Sequence, residues 1–215
     1  MAMGARTLMS ISAHQIMAWL SPSFPTGGFA YSHGLEYAVH NGDLHSPDVL
    51  KDWLQTILIH GAGWNDALFL AASYRGEDVA ELAAAQSIAA ERYEETMAQG
   101  AAFARIASEL LSEKISPAPL PVVVGQAARI ADIPLEEILP LYLHSFASNL
   151  IHAGIRLIPI GQTDGQKILA QLFETFDEIA ERAMRSDLDD LNSTSFLADI
   201  AAMKHETMTT RIFKS

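Results

Sequence analysis

PLEEILPLYLHSFASNLIHAGIRLI, residues 134–158, is the most informative stretch of the chain. Its apolar side chains fall on all sides of a helix, which is typical of a helix that others enclose. The stretch therefore predicts a long central helix that Pro134 opens. The overlapping window 138–160 is the most apolar of the chain, yet it holds four strongly polar side chains and two prolines. A membrane span tolerates few such groups, so we expect a buried helix.

Apolar residues recur at helical spacing on both sides of this stretch. They predict helices at about 12–20, 29–41, 47–60, 64–74, 78–99, 100–111, 166–180 and 196–204. Residues 122–131 are ambiguous, because three valines suggest a strand and the QAARI that follows suggests a helix. We predict an all-α fold, a single-domain helical bundle of about eight to ten helices over residues 1–215. We expect residues 1–10 and 205–215 to be flexible ends.

Composition limits the classes of function. The chain has 215 residues, a formal net charge of −12 and no cysteine. A strongly acidic chain lacks the basic face that a nucleic acid or an anionic membrane requires, so neither is an expected partner. Without cysteine there is no disulfide, thiolate metal site or cysteine nucleophile. The start of the chain does not resemble a signal peptide, and we expect a cytoplasmic protein.

A search for catalytic and metal motifs is mostly negative. The sequence has no phosphate-binding loop, no HExxH and no GxSxG nucleophile elbow. His33, Glu36 and His40 would share one helix face and could bind zinc or nickel. The two histidines are about 10 Å apart along such a helix, so we predict no metal site and no cofactor. A metal-binding protein using these three residues, a helical hydrolase using Glu36 or Glu206 with a histidine, and an unrelated regulatory module stay as alternatives.

Three polar stretches are hard to explain as core or as ordinary surface: residues 21–36, 156–166 and 204–215. Phe24 and Phe29 lie among glycines in the first, and such aromatics either fold into the core or face a partner. Arg156 lies in the most apolar helix, which predicts a buried guanidinium paired with a carboxylate or with carbonyls. The last stretch has three basic side chains against one acidic side chain. It is either flexible or a docking arm that orders on a partner.

Together these stretches resemble the urease accessory protein F family, UreF. The motifs that carry the resemblance are FPTGGF at 24–29, SHGLE at 32–36, RLIPIGQTDGQ at 156–166, MKHET at 203–207 and TRIFKS at 210–215. They occur in the family's order across nearly the whole chain. Ile160 and Ile212 stand where the family pattern has leucine, and residues 208–210 replace a more polar stretch.

The resemblance implies an all-helical, non-catalytic urease maturation factor. Members of this family join the accessory protein UreD (also called UreH) and the nickel-carrying GTPase UreG. The assembly delivers nickel to apo-urease, and the family member bridges the other two proteins and regulates or couples GTP hydrolysis. Some members dimerise, so a homodimer is a further expectation.

The resemblance also implies roles for single residues. Phe29 would be an aromatic partner contact and Arg211 a contact of the tail. The same patch would extend to the following residues: Phe24, Gly27, Glu36, His205, Glu206 and Phe213. Other motif residues would serve the structure rather than a partner: Gly34, Arg156, Pro159, Gly161, Gln162 and Gly165.

Overall fold

The computed structural model describes residues 11–215, and the expectation for residues 1–10 lies outside this range. The described chain forms eleven α-helices: α1 (Ile11–Trp19), α2 (Leu35–Asn41), α3 (Pro47–His60), α4 (Ala62–Arg75), α5 (Ala80–Ala85), α6 (Ala90–Leu111), α7 (Leu120–Ile130), α8 (Leu135–Leu157), α9 (Gln162–Gln171), α10 (Phe173–Arg185) and α11 (Phe196–His205). Short 3-10 turns cover Gly28–Ala30 and Leu188–Asp190. No strand occurs between residues 11 and 215. The all-α prediction is confirmed.

Helix α8 is the centre of the bundle, as its composition predicts. It packs against α1, α2, α3, α4, α9 and α10. Pro134 precedes its first residue, and Pro140 lies inside it without ending it. Leucine and isoleucine side chains on several sides of α8 are fully or almost fully buried. Each contributes about 1.5–3 kcal/mol by leaving water, so α8 holds the surrounding helices together.

Residues 122–130 belong to helix α7 and Ala131 caps its end, which resolves the ambiguity left by the sequence. Val122, Val123 and Val124 are at most 1% exposed, because α7 packs between α4 and α6. A Cβ added at Gly125 would lie 2.4 Å from the Leu70 carbonyl oxygen of α4, so glycine permits the close approach. Burial against two helices here outweighs the strand preference of valine.

The predicted helix break at Gly100 is wrong. Helix α6 runs through this glycine, and the break falls earlier, at residues 86–89. A Cβ added at Gly100 would lie 1.9 Å from the carbonyl oxygen of Ala118. The glycine therefore lets the proline-rich connector before α7 lie directly against α6, and it does not end the helix.

In the structure residues 205–215, for which we predict a flexible end, lie against α2 and its preceding loop. Past α11 the chain is irregular, yet His205, Phe213 and Ser215 are buried. The segment folds back over α2 and its preceding loop through hydrogen bonds to residues far away in the sequence. Local periodicity carries no sign of such bonds. Within residues 11–215, no helix has the length and apolar character that crossing a bilayer requires.

Candidate functional site

The three polar stretches meet at one place, which we call the motif junction: residues 28–36, Arg156 and residues 205–215. The main-chain N–H of Lys214 donates to the carbonyl oxygen of Ala30 at 2.8 Å. The N–H of Ser32 donates to the main-chain oxygen of Ser215 at 2.6 Å, and the Ser32 hydroxyl reaches the same oxygen. The end of the chain is thus bound along the loop that precedes α2.

Glu36 is the central acceptor of the motif junction. Its side chain is 6% exposed on the first turn of α2. Its Oε1 accepts the N–H of Ile212 at 2.7 Å, and its Oε2 accepts the N–H of Phe213 at 2.8 Å. Burial of this carboxyl would raise its pKa, but the two N–H groups and the nearby His205 ring outweigh burial and lower the pKa below 4.5. The carboxylate form therefore holds the tail in place.

His205 joins two carboxylates. Its Nε2 lies 3.2 Å from Oε2 of Glu36, and its Nδ1 lies 2.6 Å from Oε2 of Glu91. Both ring nitrogens of His205 are thus within hydrogen-bonding distance of a carboxylate oxygen. Glu91 also accepts a hydrogen bond from Arg211. Glu206 caps a different element, because its carboxylate accepts the N–H of Ala90 at the start of α6 at 2.7 Å.

Two side chains of the motif junction differ from the sequence expectation. Arg156 is exposed rather than buried, and its guanidinium carbon lies 4.4 Å from the centroid of the Phe213 ring. The guanidinium thus has an aromatic face as its partner, where we predicted a carboxylate or carbonyls. Phe213 itself is 4% exposed, so in this conformation it belongs to the core. The exposed apolar residue of the tail is its neighbour Ile212, at 63%.

The structure separates the two aromatic residues of the N-terminal loop. Phe24 packs on the core, with its ring centroid 5.2 Å from that of Phe103 on α6. Phe29 is 75% exposed. Gly27 has a φ of 77° and precedes the 3-10 turn that carries Phe29, so its backbone shape sets the direction of the exposed ring.

The residues expected to serve the structure lie in two kinds of place, a turn and close contacts between helices. Pro159 and Gly161 lie in the exposed turn between α8 and α9, and Gln162 is the exposed first residue of α9. At Gly165 an added Cβ would lie 2.5 Å from Cδ1 of Ile155, so glycine allows α9 to pack on α8. Gly34 allows a similar approach of α2 to α11.

Helix α11 carries a surface that sequence reasoning missed. Its alanines at 198, 201 and 202 face inward and are at most 6% exposed. Its large apolar residues face outward with exposures of 43–69%, and we call them the α11 face: Phe196, Leu197, Ile200 and Met203. This arrangement inverts the usual one, in which large apolar side chains fill the core. Apolar residues on every side of a helix at the surface were the available signal.

Comparison with known proteins identifies the family. A sequence profile of UreF matches residues 44–173. A protein from Cereibacter sphaeroides strain KD131, named urease accessory protein UreF, is 45% identical over 210 residues, covering 96% of this chain and all of its own. The chain belongs to the UreF family. UreF proteins of Rhodopseudomonas palustris strain HaA2 and Roseobacter denitrificans are 45% and 42% identical, covering 95% and 98% of this chain and 94% and 98% of their own lengths. UreF membership supports a role in urease maturation.

The alternative metal site at His33, Glu36 and His40 does not form in this UreF chain. Helix α2 begins at Leu35, so His33 lies in the preceding loop, with a φ of 58°, and not on the helix face. The Glu36 oxygens are bound to the tail, and His40 is exposed. Among the residues that the structure describes, no group of three histidine or acidic side chains is arranged to hold a metal ion.

Proposed function

We propose that this chain is the non-catalytic bridging subunit of the accessory complex that delivers nickel to apo-urease. In this role it links UreD (UreH) to the GTPase UreG in the cytoplasm and regulates or couples GTP hydrolysis. UreF membership supports the coarser statement, a role in urease maturation. The finer statement rests on surfaces suited to protein partners, and it requires no catalytic residue in the chain itself.

The α11 face is the observation that carries the proposal. Four large apolar side chains next to one another along one helix are costly to leave partly in water, since complete burial of such a side chain is worth about 1.5–3 kcal/mol. Leu197 is the most exposed of the four, at 69%. Exposed apolar patches of this kind mark protein interfaces. A chain that works inside an assembly explains why the helix keeps its alanines inside and its large residues outside.

The motif junction supplies a second contact surface. Phe29, Arg211 and Ile212 are exposed there, and aromatic and arginine side chains are the usual anchors of interfaces. We assign direct partner contact to these three residues, with Gly27 and Glu206 beside them. The other predicted contact residues lie beneath this surface and support it by holding the loop and the tail in place: Phe24, Glu36, His205 and Phe213. Two contact surfaces suit a bridging subunit better than one.

The role in maturation is tested by co-expressing the urease structural and accessory proteins with and without this chain. We expect urease made without it to contain little nickel and to have little activity. The nickel content is measured by atomic emission on purified urease. Equal nickel content in both preparations would reject the proposed role.

The two surfaces are tested by co-purifying UreD and UreG with variants of the chain. We expect Phe29→Ala and Leu197→Glu each to reduce recovery of at least one partner about tenfold or more. Leu110→Glu is the matched control, because Leu110 is 63% exposed near the end of α6, about 30 Å along the helix from Ala90, which Glu206 contacts. Circular dichroism establishes that each variant stays helical. Full recovery of both partners by both test variants would remove the interface assignment.

A further inference from the structure

A cavity lies inside the bundle, beneath the loop that carries Phe29. Helices α4, α6, α7 and α8 bound it, and residues 19–31 contribute its roof. Its volume of about 90 Å³ is several times the roughly 10–15 Å³ that one water molecule needs. Aromatic rings form much of the wall: Trp19, Tyr31, Phe103, Tyr142 and Phe146. Phe29 also lines the cavity. The cavity therefore lies under a surface that we assign to partners.

The cavity holds two carboxylates in very different states. Glu95 is fully engaged, because it accepts hydrogen bonds from Arg92, from Gln99 at 3.1 Å and from Ser215 at 2.8 Å. Asp66 receives one hydrogen bond among the described residues, from the Tyr142 hydroxyl to Oδ2 at 2.7 Å. Arg92 pairs with Glu95, so Asp66 has no ion-pair partner of its own within residues 11–215. Burial raises the Asp66 pKa to about 6, and the Tyr142 hydrogen bond and the charge of Arg92 oppose this rise only in part.

We propose that the cavity binds a monovalent organic cation, a guanidinium or a primary ammonium group, at the carboxylate of Asp66. The cation would neutralise the charge of the Asp66 carboxylate, and the alkyl chain of the cation would lie against the aromatic wall. Aromatic faces attract cations of this type, and the attraction increases when water is excluded. The net charge of the lining is negative, because two carboxylates face one guanidinium.

The lining argues against a divalent metal ion at this position. A metal ion needs several oxygen or nitrogen ligands at short distance, and Asp66 is the one carboxylate not already bound to a cation. The Arg92 guanidinium lines the same cavity and would repel a doubly charged ion about twice as strongly as a singly charged one. A guanidinium is weakly hydrated and stacks on aromatic rings, so the cavity suits it better.

The cation could come from a free small molecule or from the arginine or lysine side chain of a partner protein. Both present the same group to Asp66. The two sources differ at the mouth of the cavity beside Phe29, where only a partner's residue brings a peptide backbone. Butylguanidinium represents the free molecule, and N-acetylarginine methylamide represents the side chain of a partner.

The binding test is isothermal titration calorimetry of the full chain at pH 8, where the carboxylate of Asp66 is ionised. We expect saturable binding of butylguanidinium and none of butylurea, its neutral isostere. Asp66→Asn should weaken binding about 10- to 100-fold, since it removes a charge-assisted hydrogen bond. The matched control is Asp177→Asn, an exposed carboxylate on α10, which should bind as the parent chain does. Butylguanidinium that binds Asp66→Asn unchanged, or does not bind the parent chain, overturns the proposal.

A second measurement locates the ligand without any variant. We expect nuclear Overhauser effects from the butyl protons to the rings of Trp19 and Tyr142. Effects to residues outside the cavity would overturn the proposal, and so would displacement of butylguanidinium by equimolar Ni²⁺. Comparable affinity for N-acetylarginine methylamide supports a partner's side chain as the source, and much weaker affinity supports a free molecule. These results do not depend on urease maturation, so either proposal can fail alone.

Discussion

The carboxylate of Glu36 accepts the main-chain N–H of Phe213 at 2.8 Å, although 177 positions separate the two residues. The bond joins the first turn of α2 to the end of the chain. Phe213 then lies under the guanidinium of Arg156, so one short segment connects all three sequence motifs. The Glu36 carboxylate is therefore a central anchor of the tail, beside the main-chain bonds of Lys214 and Ser215.

Glu36→Gln should destabilise the chain and loosen residues 206–215. Glutamine offers one carbonyl oxygen and one NH₂ group, so it can accept one of the two N–H groups and faces the other with a donor. The loss of a charged hydrogen bond costs about 1.5–3 kcal/mol, which lowers the Tm of a chain of this size by about 3–12 °C. Calorimetry measures the Tm, and limited proteolysis followed by mass spectrometry reports on the tail. Glu174→Gln, an exposed change on α10, serves as the control.

The difference in Tm between the parent chain and Glu36→Gln should depend on pH. The pKa of Glu36 lies below 4.5 in the folded state, so its contribution is complete above that value and is lost as the pH falls through the folded pKa. The Tm difference between the parent chain and Glu36→Gln should thus be constant from about pH 6 to 7.5 and shrink below about pH 4.5. A difference that grows as the pH falls would contradict the role assigned to this carboxylate.

Much of the fold could be predicted from the sequence, because it follows from local patterns. The enclosed helix α8 shows in its apolar residues, and its start shows in Pro134. The helix break at residues 86–89 was missed, since glycine usually interrupts helices and Gly100 instead serves a close approach of Ala118. Local composition does not distinguish a glycine that ends a helix from one that lets another segment approach.

The candidate site was predictable only in part. Phe24 and Phe29 lie in the same loop between α1 and α2. Their exposure differs because the ring of Phe24 packs against the ring of Phe103 on α6. The packed tail was not predictable for the same reason, because the Glu36 carboxylate that orders it is distant in sequence. The α11 face could have been predicted from the sequence, since residues 196–204 place apolar side chains on all sides of a helix.

Gly34→Ala should destabilise the chain far more than Gly42→Ala. Both glycines have positive φ values, 80° and 85°, so both substitutions place alanine in the left-handed region at a cost of about 1–2 kcal/mol. At Gly34 the new Cβ would also lie 2.6 Å from the main-chain nitrogen of Ala202, whereas nothing lies within 4 Å at Gly42. The overlap with backbone forces α2 and α11 apart, and we expect at least about 2 kcal/mol more loss. Urea denaturation compares the two, and equal losses would show that the contact with α11 contributes nothing.

Asp66→Asn should stabilise the chain at pH 8 and have little effect at pH 4. Burial raises the pKa of Asp66 from 3.8 to about 6. Between these values the folded chain keeps a proton that the unfolded chain has released, so stability falls as the pH rises through this window. Above pH 6 the full penalty is about 3 kcal/mol, and asparagine removes it while still accepting the Tyr142 hydrogen bond. Urea denaturation at the two pH values measures the change, with Asp177→Asn as the unaffected control; lower stability of Asp66→Asn at pH 8 would contradict it. A carboxylate whose ionisation opposes folding is retained most simply because a bound cation needs it, so the variant that is more stable should also be the one that no longer binds butylguanidinium.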